Sequence, residues 1–125
     1  MADAIRVLVL ADDLIWADRL SRAVTAAGAT PVRVATLERF VAAIETGPRD
    51  AVAIVDLTAR AYDGLAAIAA AAAAGRRILA VGQHDDHDLR KRALAAGAER
   101  VLAYQKLFED GPGTIERFLA APAHA

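Results

Sequence analysis

The chain has 125 residues, the size of one ordinary domain with room for a real core. Hydrophobic residues make up 56% and charged residues 25%, which excludes a disordered tail, and a formal net charge of −1 gives no general pull toward nucleic acid or an anionic membrane. The absence of cysteine excludes a disulfide framework, thiolate catalysis and Cys-ligated metal.

The chain reads as alternating strands and helices. "IRVLVL" (5–10) is a short apolar run and is predicted as the first strand. Leu14, Ala17, Leu20 and Val24 follow at helical spacing, and Gly28 stops that helix. "PVRVA" (31–35) alternates, which suggests a strand near a sheet edge. Thr36 can cap a helix through Phe40, Val41 and Ile44 to Gly47 and Pro48. "AVAIVD" (51–56) is apolar throughout, as in a parallel strand buried on both faces. A loop leads to a helix from about Gly64 that ends at Gly75 after an alanine run. "RILAV" (77–81) is the fourth strand. Asp85 or Asp86 caps a helix reaching Ala96 and Gly97, "RVLAY" (100–104) is the fifth strand, and Thr114 caps a last short helix after the break "EDGPGT". The closing "APAHA" reads as frayed.

Helical crossovers of this length require parallel, right-handed connections. The expected fold is α/β: one domain spanning 1–125, a five-stranded parallel sheet in the flavodoxin-like order 2-1-3-4-5, with helices on both faces. No apolar run is long enough to span a bilayer, since Leu65–Ala74 is the longest, and "MADAIRV" lacks the features of a signal peptide. The protein is therefore expected to be cytoplasmic, with no membrane partner and no direct nucleic-acid partner.

Ligands of such sheets bind at the carboxyl ends of the strands. Asp12 and Asp13 follow the first strand, and Asp56 ends the third, its neighbour in that order. Carboxylates converging there repel one another unless a cation intervenes, and a hard divalent cation such as Mg²⁺ suits them. The order and spacing of the Asp pair, of the lone Asp56, of "YDGL" beyond it and of "AAGAERVL" before the fifth strand resemble the receiver domain of two-component response regulators over nearly the whole chain. The resemblance implies that Asp56 accepts a phosphoryl group from a histidine kinase. It also implies that Asp12, Asp13, Asp56 and the backbone carbonyl of Thr58 hold Mg²⁺, and that the protein is not an enzyme. Mg²⁺ would offset the repulsion between an attacking carboxylate and an incoming phosphate.

The chain also departs from that pattern. The family's Ser or Thr at the end of strand four is Gly82 here, with Gln83 beside it. Its Lys after strand five falls on Tyr104 if the count from Gly97 is ungapped, with Gln105 at the following Pro and Val101 at the switch aromatic. A two-residue insertion would place Lys106 in the Lys role, with Leu107 and Ala103 in the other two; strand interiors seldom accept insertions. Arg60 stands where a Pro usually follows the phosphorylated strand. The expected protein is thus an atypical stand-alone receiver in phosphorelay signalling with weakened phosphate readout. The alternative is a pseudo-receiver that binds a kinase or other signalling protein constitutively, as a monomer or weak homodimer.

Three further features have plain readings. His84 and His87 in "HDDHD" could share a helix face on a metal, but acids at a helix N-terminus are favoured as caps. Arg90, Lys91 and Arg92 form a solvated face or a docking surface. Trp16 lies near the acids and would report on metal by its fluorescence. A small enzyme or nucleotide-binding protein is disfavoured, because "ADDL" rather than a Gly-rich phosphate cradle follows the first strand.

Overall fold

Every strand expected from the apolar runs forms in the computed structural model, which describes residues 4–121. The elements are β1 (Arg6–Leu10), α1 (Leu14–Ala26), β2 (Thr30–Val34), α2 (Leu37–Thr46), β3 (Val52–Asp56), α3 (Gly64–Ala73), β4 (Ile78–Gly82), α4 (His87–Ala96), β5 (Arg100–Ala103) and α5 (Tyr104–Ala120). All strands are parallel, in the order β2-β1-β3-β4-β5. Strands β3 and β4 are buried at every residue, whereas the edge strands β2 and β5 are partly exposed, as their mixed composition requires.

The period-two alternation of the strands divides the core into two layers. Val7 and Val9 of β1 face Leu20 and Val24 of α1 and Ile115 and Phe118 of α5. Leu8 and Leu10 face the opposite way, into a layer with Phe40, Ile44, Ile68 and Ala93 from α2, α3 and α4. Burying each large side chain of this kind stabilises the fold by about 1.5–3 kcal/mol relative to exposure.

Local chemistry sets the helix ends. Thr36 accepts the Arg39 N–H at 3.2 Å as the cap of α2, Asp63 accepts from Leu65 and Ala66 at the start of α3, and Asp86 accepts the Leu89 N–H at 3.0 Å at the start of α4. The alanines of α3 give strong helix propensity and a thin helix against which α4 packs closely. Gly97, after α4, has φ +126°, and a Cβ there would lie 2.4 Å from the Cβ of Ala72.

Two expectations for the C-terminal part are corrected. Tyr104 does not end the fifth strand; it heads α5, with Ala103 as an N-cap that has no side-chain bond. Thr114 does not cap a separate short helix, because helical structure already runs from Tyr104 and is interrupted at Asp110 (φ −158°, ψ 75°). Asp110 supplies the local cap instead, accepting the Gly113 N–H at 3.0 Å, with Pro112 in the first turn beyond it, where a missing N–H costs nothing. Gly111 lets this kink approach α1, since its Cβ position lies 3.3 Å from that of Ala23. The terminal stretch read as frayed lies, from residue 122, outside the described residues. Among the described residues no helix is long and apolar enough to cross a membrane.

Candidate functional site

The sheet register assembles the site. Leu10 pairs with Val55, Asp56 with Val81, and Gly82 with Ala103, so Asp12, Asp56, Gly82 and Tyr104 all emerge at the carboxyl ends of β1, β3, β4 and β5. The Tyr62 hydroxyl, reaching back from the loop after β3, lies 2.9 Å from the Leu10 carbonyl oxygen and 2.7 Å from that of Asp56. It ties the ends of β1 and β3 together.

Asp56 is 1% exposed. Its Oδ1 accepts the Thr58 N–H at 2.9 Å, the Thr58 hydroxyl at 2.9 Å, and the hydroxyl of Tyr104, which also touches the Thr58 hydroxyl. A buried carboxylate must be satisfied by donors, and on this one oxygen the loop after β3 supplies two and Tyr104 at the head of α5 a third. Burial, reinforced by the hydrogen bond to Asp56, holds Tyr104 protonated well above the usual phenol range. Burial, followed by the negative charges of Asp56 and Asp12, does the same for Tyr62.

The other acids are also engaged. Asp12 Oδ2 accepts the N–H groups of Arg60 and Ala61, both at 3.0 Å, and so anchors the loop after β3. Asp13 is the N-cap of α1, its Oδ1 accepting from Ile15 at 2.8 Å and Trp16 at 3.1 Å. Above them opens a cavity of about 540 Å³ lined by Asp12, Asp13, Trp16, Thr58, Arg60, Gln83 and Tyr104. Asp56 does not line it, but Thr58 and Tyr104, which bond its Oδ1, do.

Mg²⁺ needs several free oxygens around one point. Among the described residues no three His, Asp or Glu side chains are grouped to hold a metal ion. Asp12, Asp13 and Asp56 each commit an oxygen to protein donors, and Thr58 turns its N–H and hydroxyl, both donors, toward Asp56. The other oxygen of each carboxylate accepts no hydrogen bond among the described residues, so it is these oxygens, with the Thr58 carbonyl, that would hold Mg²⁺.

Of the remaining expected residues, Gly82 is buried beside Leu57, and a Cβ there would make ordinary contacts at 3.5 and 3.7 Å. Lys106 is exposed on α5 and does not line the cavity, whereas Tyr104 is buried in it. Gln83 reaches the cavity. His84 lies in the turn before α4 and His87 is its first residue, so the two do not share a helix face. Arg90 donates to the Val101 carbonyl at 2.8 Å, which ties α4 to β5. Sequence reasoning missed the bond between Tyr104 and Asp56 and the bridging role of Tyr62. The available signal was Tyr104 directly after the fifth apolar run; Tyr62, six residues beyond Asp56, carried none.

Comparison with known proteins places this geometry. No family model and no curated protein matches the chain. A solved structure described as a response regulator from Chloroflexus aurantiacus J-10-fl aligns over 95% of this chain and 100% of its own, with TM-score 0.79 and 20% identity. The signal receiver domain of the response regulator NarL from Mycobacterium tuberculosis aligns over 97% and 100%, with TM-score 0.79 and 21% identity. A response regulator protein from Burkholderia pseudomallei, solved with a phosphorylated aspartic acid, calcium ion and citrate, aligns over 97% of this chain and 77% of its own, with TM-score 0.71 and 18% identity. The chain has the flavodoxin-like receiver-domain fold of response regulators.

Proposed function

We propose that residues 1–125 form a single receiver-like signalling module, not an enzyme, that works in the cytoplasm through protein contacts and without an aspartyl phosphate. Its partner would be a histidine kinase or another signalling protein, and the module itself a monomer or weak homodimer. The observation that carries this reading is the sealing of Asp56. Its side chain is 1% exposed, its Oδ1 is satisfied by Thr58 and Tyr104, and it does not line the cavity through which a phosphodonor would arrive, whereas both of those residues do. A conformational switch needs contacts that differ between its two states. Gly82 brings no hydroxyl to such a switch, and Tyr104 brings a neutral donor in place of a cation.

A second reading keeps Asp56 as a phosphoacceptor in a phosphorelay, with Mg²⁺ held by Asp12, Asp13, Asp56 and the Thr58 carbonyl. The observation in its favour is that Asp12 and Asp13 line the cavity immediately outside the Thr58–Tyr104 lid. The two readings differ in one measurement. The protein is incubated with Mg²⁺ and acetyl phosphate and weighed intact. The contact-only reading expects no phosphate-sized mass gain; a gain that disappears in Asp56→Asn would establish the phosphoacceptor.

A further inference from the structure

The two carboxylate oxygens of Asp56 are unequal. Oδ2 accepts no hydrogen bond among the described residues and is the oxygen that would hold Mg²⁺. Oδ1 is then the one left to attack a phosphorus atom, and it carries all three donors: the Thr58 N–H, the Thr58 hydroxyl and the Tyr104 hydroxyl. Donors on a carboxylate oxygen hold its negative charge in place, and they must yield before that oxygen forms a new bond.

The donors differ in kind. Thr58 stands two residues along the chain and belongs to the same loop. Tyr104 comes from 48 residues away and brings a ring as well as a hydroxyl. It lines the cavity, is 9% exposed and stacks on Trp16, while its hydroxyl bonds Asp56. Gln83 and Arg60 also line the cavity, but among the described residues neither bonds the Asp56 carboxylate. Tyr62 is as buried as Tyr104, yet it bonds the Asp56 backbone carbonyl and leaves the carboxylate alone.

Tyr104 also has somewhere to go. It is the first residue of α5, after Ala103, which supplies no side-chain cap. Beside it opens a cavity of about 540 Å³, with room for a phenol ring. Leaving gives up the bond to Asp56 and the stacking on Trp16, so only a partner that favours the open position would release the carboxylate.

We propose that Tyr104 is a latch on Asp56: in place, it keeps the carboxylate a latent phosphoacceptor, and swung into the cavity, it frees Oδ1 to react. This rests on the contact-only reading of the closed protein and adds the residue that enforces it. The step withheld is a simple displacement. Asp56 Oδ1 forms a bond to the phosphorus of acetyl phosphate, the bond from that phosphorus to the acetyl oxygen breaks, and acetate leaves with the electron pair; no proton moves.

Wild type, Tyr104→Phe, Tyr104→Leu and Gly97→Ala are incubated with Mg²⁺ and acetyl phosphate and weighed intact, once circular dichroism has shown each to be folded. Gly97→Ala is the control for lost stability, because Gly97 lies at the other end of the strands. Tyr104→Phe is expected to gain phosphate mass at least about tenfold above the wild-type level, and Tyr104→Leu, which also removes the ring, more than that. Gly97→Ala should stay at the wild-type level. The gain should vanish when Asp56→Asn is added, and in hydroxylamine, which cleaves an acyl phosphate. In a parallel reaction without Mg²⁺ or donor, a carbodiimide with an amine should label Asp56 faster in both Tyr104 variants than in the wild type. A folded Tyr104→Leu that gains no phosphate overturns the proposal, whatever its labelling, since Asp56 would then be open but inert. If Tyr104→Leu does not fold, Tyr104→Phe decides by the same criterion. An equal gain in Gly97→Ala also overturns it, by assigning the effect to loosening of the fold. A wild type that gains as much as the variants overturns the latch and the contact-only reading together, whereas variants as inert as the wild type overturn the latch alone.

Discussion

Replacing Tyr104 by Phe removes one oxygen and keeps the ring, which stacks on Trp16 with centroids 4.0 Å apart. The lost bond is to a carboxylate, and hydrogen bonds to charged groups contribute about 1.5–3 kcal/mol. Water cannot easily replace the donor, because Asp56 is 1% exposed. The Thr58 N–H and hydroxyl remain at 2.9 Å, which places the expected loss in the lower half of that range, about 1.5–2 kcal/mol. For a domain of this size that is a fall in Tm of roughly 6–8 °C. Urea unfolding followed by far-ultraviolet circular dichroism measures it. Tryptophan fluorescence is the poorer signal, since Trp16 touches the altered ring. Combining Tyr104→Phe with Asp56→Asn in a double-mutant cycle isolates the pair, and a coupling above about 1 kcal/mol is expected. Losses that add to within about 0.5 kcal/mol would show that Tyr104 contributes packing alone, and the sealed-carboxylate argument would fall with that result.

Stability should also fall in alkali. Both tyrosines have pKa values raised in the folded state by burial and by neighbouring negative charge, so their contribution is complete below the ordinary phenol value of about 10 and is lost as pH rises above it. Phenolate absorbance should therefore appear together with loss of the circular dichroism signal, and normal ionisation near pH 10 in a folded protein would contradict the burial argument. Gly97→Ala should destabilise by about 1–3 kcal/mol, because it combines a positive φ with a Cβ 2.4 Å from that of Ala72. Thermal melts of this variant beside Gly75→Ala separate the two causes, since Gly75 also has positive φ (75°) but open space around its Cβ position. Equal losses in the two variants would mean that the α3 contact costs nothing.

The central strands were legible because burial on both faces leaves a continuous apolar signature, and β3 and β4 carry it without interruption. The caps at Thr36 and Asp86 were legible because the relevant contact spans three residues. The start of α5 was not, since Ala103 offers no side-chain cap and "DGPG" reads as a loop although the helix only bends there. The acids were found at the strand ends, but their commitments were hidden. Whether Asp13 caps a helix or faces a ligand depends on one rotamer, and the partner of Asp56 stands 48 residues away at Tyr104. No periodicity carries a contact of that kind.

Gly82 has a different consequence. A Cβ at that position would meet only Leu57, at ordinary distances, so nothing in the packing demands a glycine there. A serine or threonine could be placed there without disturbing the sheet. The position of Tyr104 is not so easily altered, since its ring is stacked on Trp16 and its oxygen is bound to Asp56 and Thr58. The two positions are thus unequal in how freely they can be changed. Position 82 is a free parameter of this scaffold, and position 104 is a joint on which the surrounding structure has come to depend.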